Sequence, residues 1–439
     1  MPKVYKTPGV YREDIFLQPE TQLPTGVPGF VGFAEAITAL STLPEGIQLP
    51  HYLQYEPTKK LLVFADVMSQ QTRDQLLALS SEPMFKKAIQ ALFNSAQAVV
   101  QLDRKQDFAG QLQSFSSSKS YLEEAVNGFF ENGGTRCYVA RAVPDALSEK
   151  AASALIAALD ALAPIQDLDL VAVPDAMTLQ DKNAMQDKDA IIRVQKAVLQ
   201  HCSNLGGRLA ILDGFSDIEK VKGQQEELTT NQVDSLNGTL YFPWLKNTEK
   251  NLIPPCGHVA GIFARSDTAR GVFKAPANEE IFDVLDLEIP IDNTVQSKLN
   301  PLGINCLRAF PGRGIRIWGA RTLSNDINWR YINVRRLFLT LGRWIEQNMY
   351  WATFEPNSEF LWVRIQRELS TYLEQLWRAG ALQGQAASEA FYVKCDGETN
   401  PSESRETGEI VTEIGLAPNS TAEFIIVRII HRAGVIEIQ

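Results

Sequence analysis

Two stretches in the last third of the chain place apolar residues at helical spacing. Positions 327, 331, 334, 338, 341 and 345 step by four and three, which predicts one apolar stripe along a helix over Asp326–Met349. Ser324, Asn325 or Asp326 can cap its start. Arg335, Arg336 and Arg343 are expected to project from its other faces. A second helix is predicted over Ser358–Ala379, between Pro356–Asn357 and Gly380, with Leu361, Ile365, Leu369, Leu373 and Leu376 as its stripe. Arg364 and Arg367 share a different face of it, three residues apart.

Ahead of these helices the pattern alternates. Gly29–Ala34 is a short apolar strand. Tyr121–Phe130 reads as a helix ending at Asn132-Gly133-Gly134, followed by a buried strand over Cys137–Ala142. Helix Ser148–Leu162 leads to strand Leu168–Val173, and helix Lys188–Cys202 leads to strand Arg208–Leu212. Leu240–Trp244, Val284–Ile289, Arg308–Phe310 and Ile315–Trp318 supply further strands, and His258–Arg270 begins as an amphipathic helix. Strand, helix and strand in succession predict a partly parallel sheet with helices packed on it. The expected class is therefore α+β or α/β, multi-domain, with mixed sheets and packed helices.

The ends read differently. Prolines at 2, 8, 19, 24 and 28 forbid a long N-terminal helix. Gly9–Ile15 is a strand-like piece suited to an edge, in its own sheet or a neighbour's. Glu423–His431 is a strand with apolar residues on both faces, so both faces are expected to be buried. Residues 38–120 read as helices and loops, with helices predicted over Arg73–Leu79 and Glu82–Leu102, and are expected to form a variable insert on the outer face. Asp396–Glu413 is a polar, acidic loop.

Composition narrows the class. The chain has 439 residues, 45% hydrophobic and 21% charged, which are ordinary globular values compatible with two or three domains. A net charge of −10 weighs against nucleic acid as the main partner. Yet residues 301–380 hold eleven Arg, no Lys and only six acids, together with six of the seven Trp. Such a block suits either an Arg-rich surface over a Trp-rich core or a basic face that meets an acidic partner. The five Cys are scattered, without a CxxC, so a disulfide framework is not expected. The opening MPKVYKTPGVYREDI lacks an apolar h-region, and no run approaches about 18 apolar residues. Assembly in the cytoplasm, without a secretory signal or a membrane span, is the expectation.

Candidate chemistry is sparse. Asp175 and Asp213 follow strand ends, where open α/β sheets bind ligands. VAVPDAMT and AILDGFSD carry no phosphate-cradling glycine pattern, and Asp-Gly after a strand is common turn chemistry. His201-Cys202 and Cys256-Gly257-His258 match no structural zinc spacing. No catalytic, cofactor or metal residue is assigned, and no cofactor is expected.

The blocks that do stand out come in one order: Pro243-Trp244-Leu245, PPCGHVAG, ARSDTARGVFKAPAN, NPLGIN, GRGIRIWGARTL and the INVRR helix. Over roughly Tyr241–Ala433, with a weaker echo at 4–33, this order resembles the C-terminal core of contractile-tail sheath proteins, of phage tails and phage-like injection systems. The resemblance implies a non-enzymatic structural subunit of a phage or phage-tail-like particle, stacked as hexameric rings around an inner tube. Its expected partners are further copies of itself, the tube protein, baseplate and terminator proteins and, as a further candidate, sister sheath chains, with no direct contact to nucleic acid. It implies linking arms at 1–30 and 421–439, an outer domain at 31–240 and a tube-facing core domain at 241–420. Strand addition between subunits is expected at Val10, Tyr11, Arg12 and Ile15 and at Phe424, Ile426, Arg428 and Ile430; Arg364, Arg367 and Arg378 are expected to face the tube. The alternatives are an α/β enzyme with a site near Asp175 and Asp213, and a static tubular shell protein.

Overall fold

The computed structural model describes residues 23–39, 53–56, 61–64 and 70–79, then 99–423 apart from 114–118, 144–146, 182, 184 and 402–407, and 429–432 and 435–438, with single positions among 40–52 and 80–98. Its centre is an eight-stranded sheet. In chain order the strands are Pro28–Phe33 (β1), Val99–Leu102 (β2), Cys137–Ala142 (β3), Leu170–Ala172 (β4), Leu209–Asp213 (β5), Gly238–Phe242 (β6), Ile304–Phe310 (β7) and Gly314–Trp318 (β8). Their spatial order is β8-β7-β6-β5-β4-β1-β3-β2. The six inner strands are parallel, and β8 and β2 close the two edges antiparallel. Parallel strands must be covered on both faces, and β1, β4, β5 and β6 are buried along their whole length.

The covering helices are Leu122–Glu131 (α1), Ser148–Asp160 (α2), Lys188–Leu205 (α3), Ile218–Leu228 (α4) and Cys256–Arg270 (α5). Asp187 caps α3, and Gly206 ends it in the left-handed conformation at φ 72°. α5 lies unusually close to α1. A Cβ on Gly257 would stand 2.1 Å from the Ala125 carbonyl oxygen, so the glycine is what permits the approach.

The C-terminal part adds Ile332–Asn348 (α6) and Glu359–Arg378 (α7). Leu361, Ile365, Leu369 and Leu373 of α7 are buried as its stripe predicts, in a second core with Leu341, Trp344, Val393 and Cys395. Trp344 stacks flat on Tyr372 at 3.9 Å. Strands Phe391–Lys394 (β9) and Glu413–Leu416 (β10) form a two-stranded sheet beside it. Ile429–Arg432 (β11) and Val435–Ile438 (β12) pair as a hairpin.

Three expectations need correction. The helix predicted from Asp326 starts at Ile332; Asp326 instead caps a short 3-10 turn over Ile327–Trp329, and Ile327 is exposed. Arg336 and Arg343, expected on the other faces of that helix, are buried there. Val99–Leu102, predicted as the end of a helix, is strand β2, because it completes the main sheet beside β3. The rest of the expected insert includes a small antiparallel sheet of Leu53–Glu56, Leu61–Phe64, Glu35–Ala39 and Leu112–Gln113. β6 pairs with β5 on one side and β7 on the other, so the main sheet is continuous through residues 238–242.

Candidate functional site

The blocks that stood out in sequence meet in space. Arg336 of the INVRR helix donates to both carboxylate oxygens of Asp267, at 2.6 and 2.5 Å, and to Asp169 at 2.8 Å. Asp267 lies in the ARSDTARG block on α5, and Asp169 leads into β4. Asp169 also accepts from the backbone N–H of Gly26 and Val27, at 3.1 and 2.7 Å. All three side chains are buried. Burial alone would pull the guanidinium down, but the two carboxylates outweigh it and hold Arg336 firmly charged. This node ties the segment entering β1, the start of β4, helix α5 and helix α6 together. Its neighbour Arg335 donates to Asn237 and lies over the Trp329 ring. His258, from the PPCGHVAG block, sits where a side chain on Gly128 would be, and burial pulls its imidazole down to about 4, so it is neutral.

The strand-end acids have structural partners. Asp175 lies beyond β4, beside the end of β1, where the sheet's connections diverge to opposite sides and a doubly wound sheet would hold a ligand. Its carboxylate instead accepts from Phe33 N–H at 2.6 Å, Tyr121 N–H at 2.5 Å and the Ser120 hydroxyl at 2.8 Å, which pins the start of α1. Asp213 accepts from Cys256 N–H at 2.9 Å, at the start of α5. Burial pushes Asp175 up to about 6 and Asp213 up to about 7, partly offset by those donors. Both are sealed from solvent and serve as helix anchors. Among the described residues no cluster of three His, Cys, Asp or Glu could hold a metal.

The arginine block is mostly consumed inside the chain. Arg308 donates to Ile291 O, Asn293 and Gln296; Arg316 to Asn278 O and Arg313 O; Arg321 pairs with Glu423. Besides Arg313 in the turn before β8, the exposed arginines of the block lie on α7. Arg364 stacks 3.6 Å from the Trp351 ring centroid and meets Glu368 at 3.3 Å, and Arg378 meets Glu374 at 2.6 Å. Arg367 has no side-chain partner among the described residues. Thus the three arginines expected to face a partner lie exposed on one helix. Next to them the turn between α6 and α7 exposes Tyr350 and Phe354, and the start of α7 exposes Phe360 and Val363, four apolar side chains that the sequence pattern did not assign. Phe354 is fully exposed at φ 69°, a conformation rare for an aromatic residue. For Phe360 and Val363 the signal was an apolar residue falling off the α7 stripe.

Of the residues expected to add strands, Val10, Tyr11, Arg12, Ile15, Phe424, Ile426 and Arg428 lie outside the described residues. Ile430 lies in β11, opposite Glu437 of β12.

A mixed sheet with capped edges, plugged strand ends and an exposed C-terminal helix defines a scaffold whose prominent polar chemistry serves packing. Comparison with known proteins gives the family. The profile of the phage tail sheath protein central domain matches residues 148–323, and that of the phage tail sheath C-terminal domain matches 324–432. The chain is 27% identical over 195 residues to the tail sheath protein of Vibrio phage KVP40, a stretch covering 43% of this chain and 28% of that relative. In fold it matches a chain of the anti-feeding prophage (AFP) baseplate at a TM-score of 0.66 and 25% identity, covering 98% of this chain and all of the other. It matches the AFP helical sheath in the contracted state at a TM-score of 0.66 and 26% identity, covering 97% and 99% of the two chains. The chain belongs to the contractile tail sheath family.

Proposed function

We propose that the chain is the structural subunit of a contractile sheath. Copies stack as hexameric rings around an inner tube, and the lattice shortens and widens to drive the tube through a target envelope. The observation that carries this reading is the 26% identity to the contracted AFP helical sheath over 97% of this chain. The buried, anchoring roles of Asp175 and Asp213 favour it over an α/β enzyme.

In this reading residues 1–30 and 421–439 link subunits, 31–240 face outward and 241–420 face the tube, with Arg364, Arg367 and Arg378 toward it. Val10, Tyr11, Arg12 and Ile15, and Phe424, Ile426, Arg428 and Ile430, add strands to neighbours. A two-stranded sheet is marginal alone. β9 and β10 pair only with each other among the described residues, so each offers an edge to an incoming strand. Baseplate and terminator proteins cap the stack. Energy is stored in the lattice at assembly and released by rigid-body repacking, so no nucleotide is consumed. The subunit is made in the cytoplasm and joins a phage or phage-tail-like particle.

Electron microscopy of the purified full chain, alone and co-produced with its tube and baseplate proteins, tests this. Striated cylinders in two geometries, narrow around a tube and wide when empty, are expected. Dispersed chains in both preparations would overturn the reading, and a single geometry would make it a static shell.

A further inference from the structure

Helix α6, the segment 163–168 and Leu205, Gly207 and Arg208 line an open cleft of about 670 Å³. Two arginines line it, Arg208 and Arg343, exposed by only 4% and 5%. Neither meets a carboxylate at ion-pair distance among the described residues. Arg208 Nη1 lies 2.8 Å from His201 Nε2, and its Nη2 donates to the Ala163 and Ile165 carbonyls at 3.1 and 2.6 Å. Arg343 Nη2 donates to the carbonyls of Pro24, Gln166 and Asp167, at 3.0, 3.3 and 3.0 Å. Its Nε and Nη1 are buried and have no partner.

Buried charges are ordinarily paired, because an isolated one is costly to desolvate. Asp167 and Glu346 also line the cleft, but the Asp167 carboxylate is 39% exposed and turned toward Arg136 at 3.8 Å, and Glu346 is exposed. His201 adds no negative charge; burial and the Arg208 charge pull it down to about 4. Burial also pulls Arg208 down to about 10, with Arg343 adding to the effect. Two buried like charges therefore line one cleft without a carboxylate of their own among the described residues. The cleft falls within the range that holds an organic ligand or a side chain, roughly 300–1,000 Å³.

We propose that this cleft binds an oxyanion, a phosphate or carboxylate group held by the charges of Arg343 and Arg208, neither of which has a carboxylate partner among the described residues. The group comes either from a free ion or from an acidic side chain of a second copy of this chain. The site lies where the chain enters the fold at Pro24, so its occupant bears directly on the root of the N-terminal segment.

The test compares thermal unfolding of the full chain in inorganic phosphate and in chloride at matched ionic strength, with two variants. Arg343→Gln removes the donors. Gln347→Glu, one helical turn away on the cleft wall, adds an internal counter-charge and leaves the buried residues in place. A phosphate-specific rise in Tm, with binding at least about tenfold weaker in Arg343→Gln and suppressed in Gln347→Glu, supports a free-ion site. No phosphate response, but a higher Tm for Gln347→Glu together with weaker self-association, supports an acidic group from a second copy. A phosphate response unchanged in both variants overturns the proposal. So does the absence of a phosphate response with Gln347→Glu unchanged in Tm or self-association. The phosphate arm does not depend on the sheath reading.

Discussion

Arg336 bears more of the architecture than any residue its size would suggest, because its two carboxylate partners lie 69 and 167 positions away. Replacing it by Met leaves Asp267 and Asp169 buried without their cation. Removal of one partner from a buried ionic group costs about 3–5 kcal/mol. Urea unfolding of Arg336→Met is expected to show a loss of that order, and a loss under 1 kcal/mol would contradict the node. Asp213 gives a pH signature. Its carboxyl ionises near 3.8 when unfolded but holds its proton up to about 7 when folded. The folded state therefore binds more protons between those values, so this group's contribution to stability falls as pH rises from about 4 to 7. Asp213→Asn keeps an acceptor for Cys256 N–H but does not titrate. The variant's stability relative to the parent is expected to rise across that window by up to about 4 kcal/mol. A pH-independent difference would show that Asp213 is ionised throughout. None of this was legible in sequence. Asp175 and Asp213 could be placed at strand ends, but nothing local reveals which N–H groups a carboxylate will meet across the sheet.

At the scale of elements, the sequence was legible wherever a local period decides the structure. The α7 stripe is buried as read, from Leu361 to Leu373. The α6 stripe misled at Ile327, because the chain turns at Asp326 and enters the helix only at Ile332. Arg336 and Arg343 lie off that stripe as read and are buried all the same, because charge is a poor guide to exposure when a distant partner or carbonyl awaits. Strand β2 was hidden because its pairing partner β3 lies beyond two intervening helices. The contact between α1 and α5 depends on a residue without a side chain. Gly257→Val is expected to cost at least about 1–3 kcal/mol by overpacking against Ala125, read as a lower Tm. A neutral result would mean that the two helices separate freely. On α7, charge reversal at Arg364 and Arg367 is expected to leave Tm within about 2 °C, since both are exposed. The same variant should lose co-sedimentation with the tube protein. Normal recovery on the tube would remove these arginines from the proposed contact.

Among the described residues the main sheet and a smaller C-terminal body are joined through α6, whose first half enters the main core and whose second half enters the other. That continuity joins the two cores through one helix. The class of fold was legible from alternating strands and helices; the order of the strands was not, because β1 lies between β3 and β4 and no local pattern says so. In the proposed lattice, deletion of residues 1–16 is expected to leave a folded chain with an unchanged Tm that forms no cylinders. Ordinary cylinders from that deletion would remove the N-terminal arm from the assembly.

The position of β1 also sets how the fold answers a pull. The N-terminal segment enters the fold through Gly26 and Val27 and runs directly into β1, an interior strand with parallel neighbours on both sides. Tension along that segment loads the two hydrogen-bonded ladders lengthwise, so they resist in shear and share the force instead of opening one bond at a time. An edge strand drawn sideways would peel. A protein tethered in this way can transmit a sudden displacement to its body before its own sheet gives.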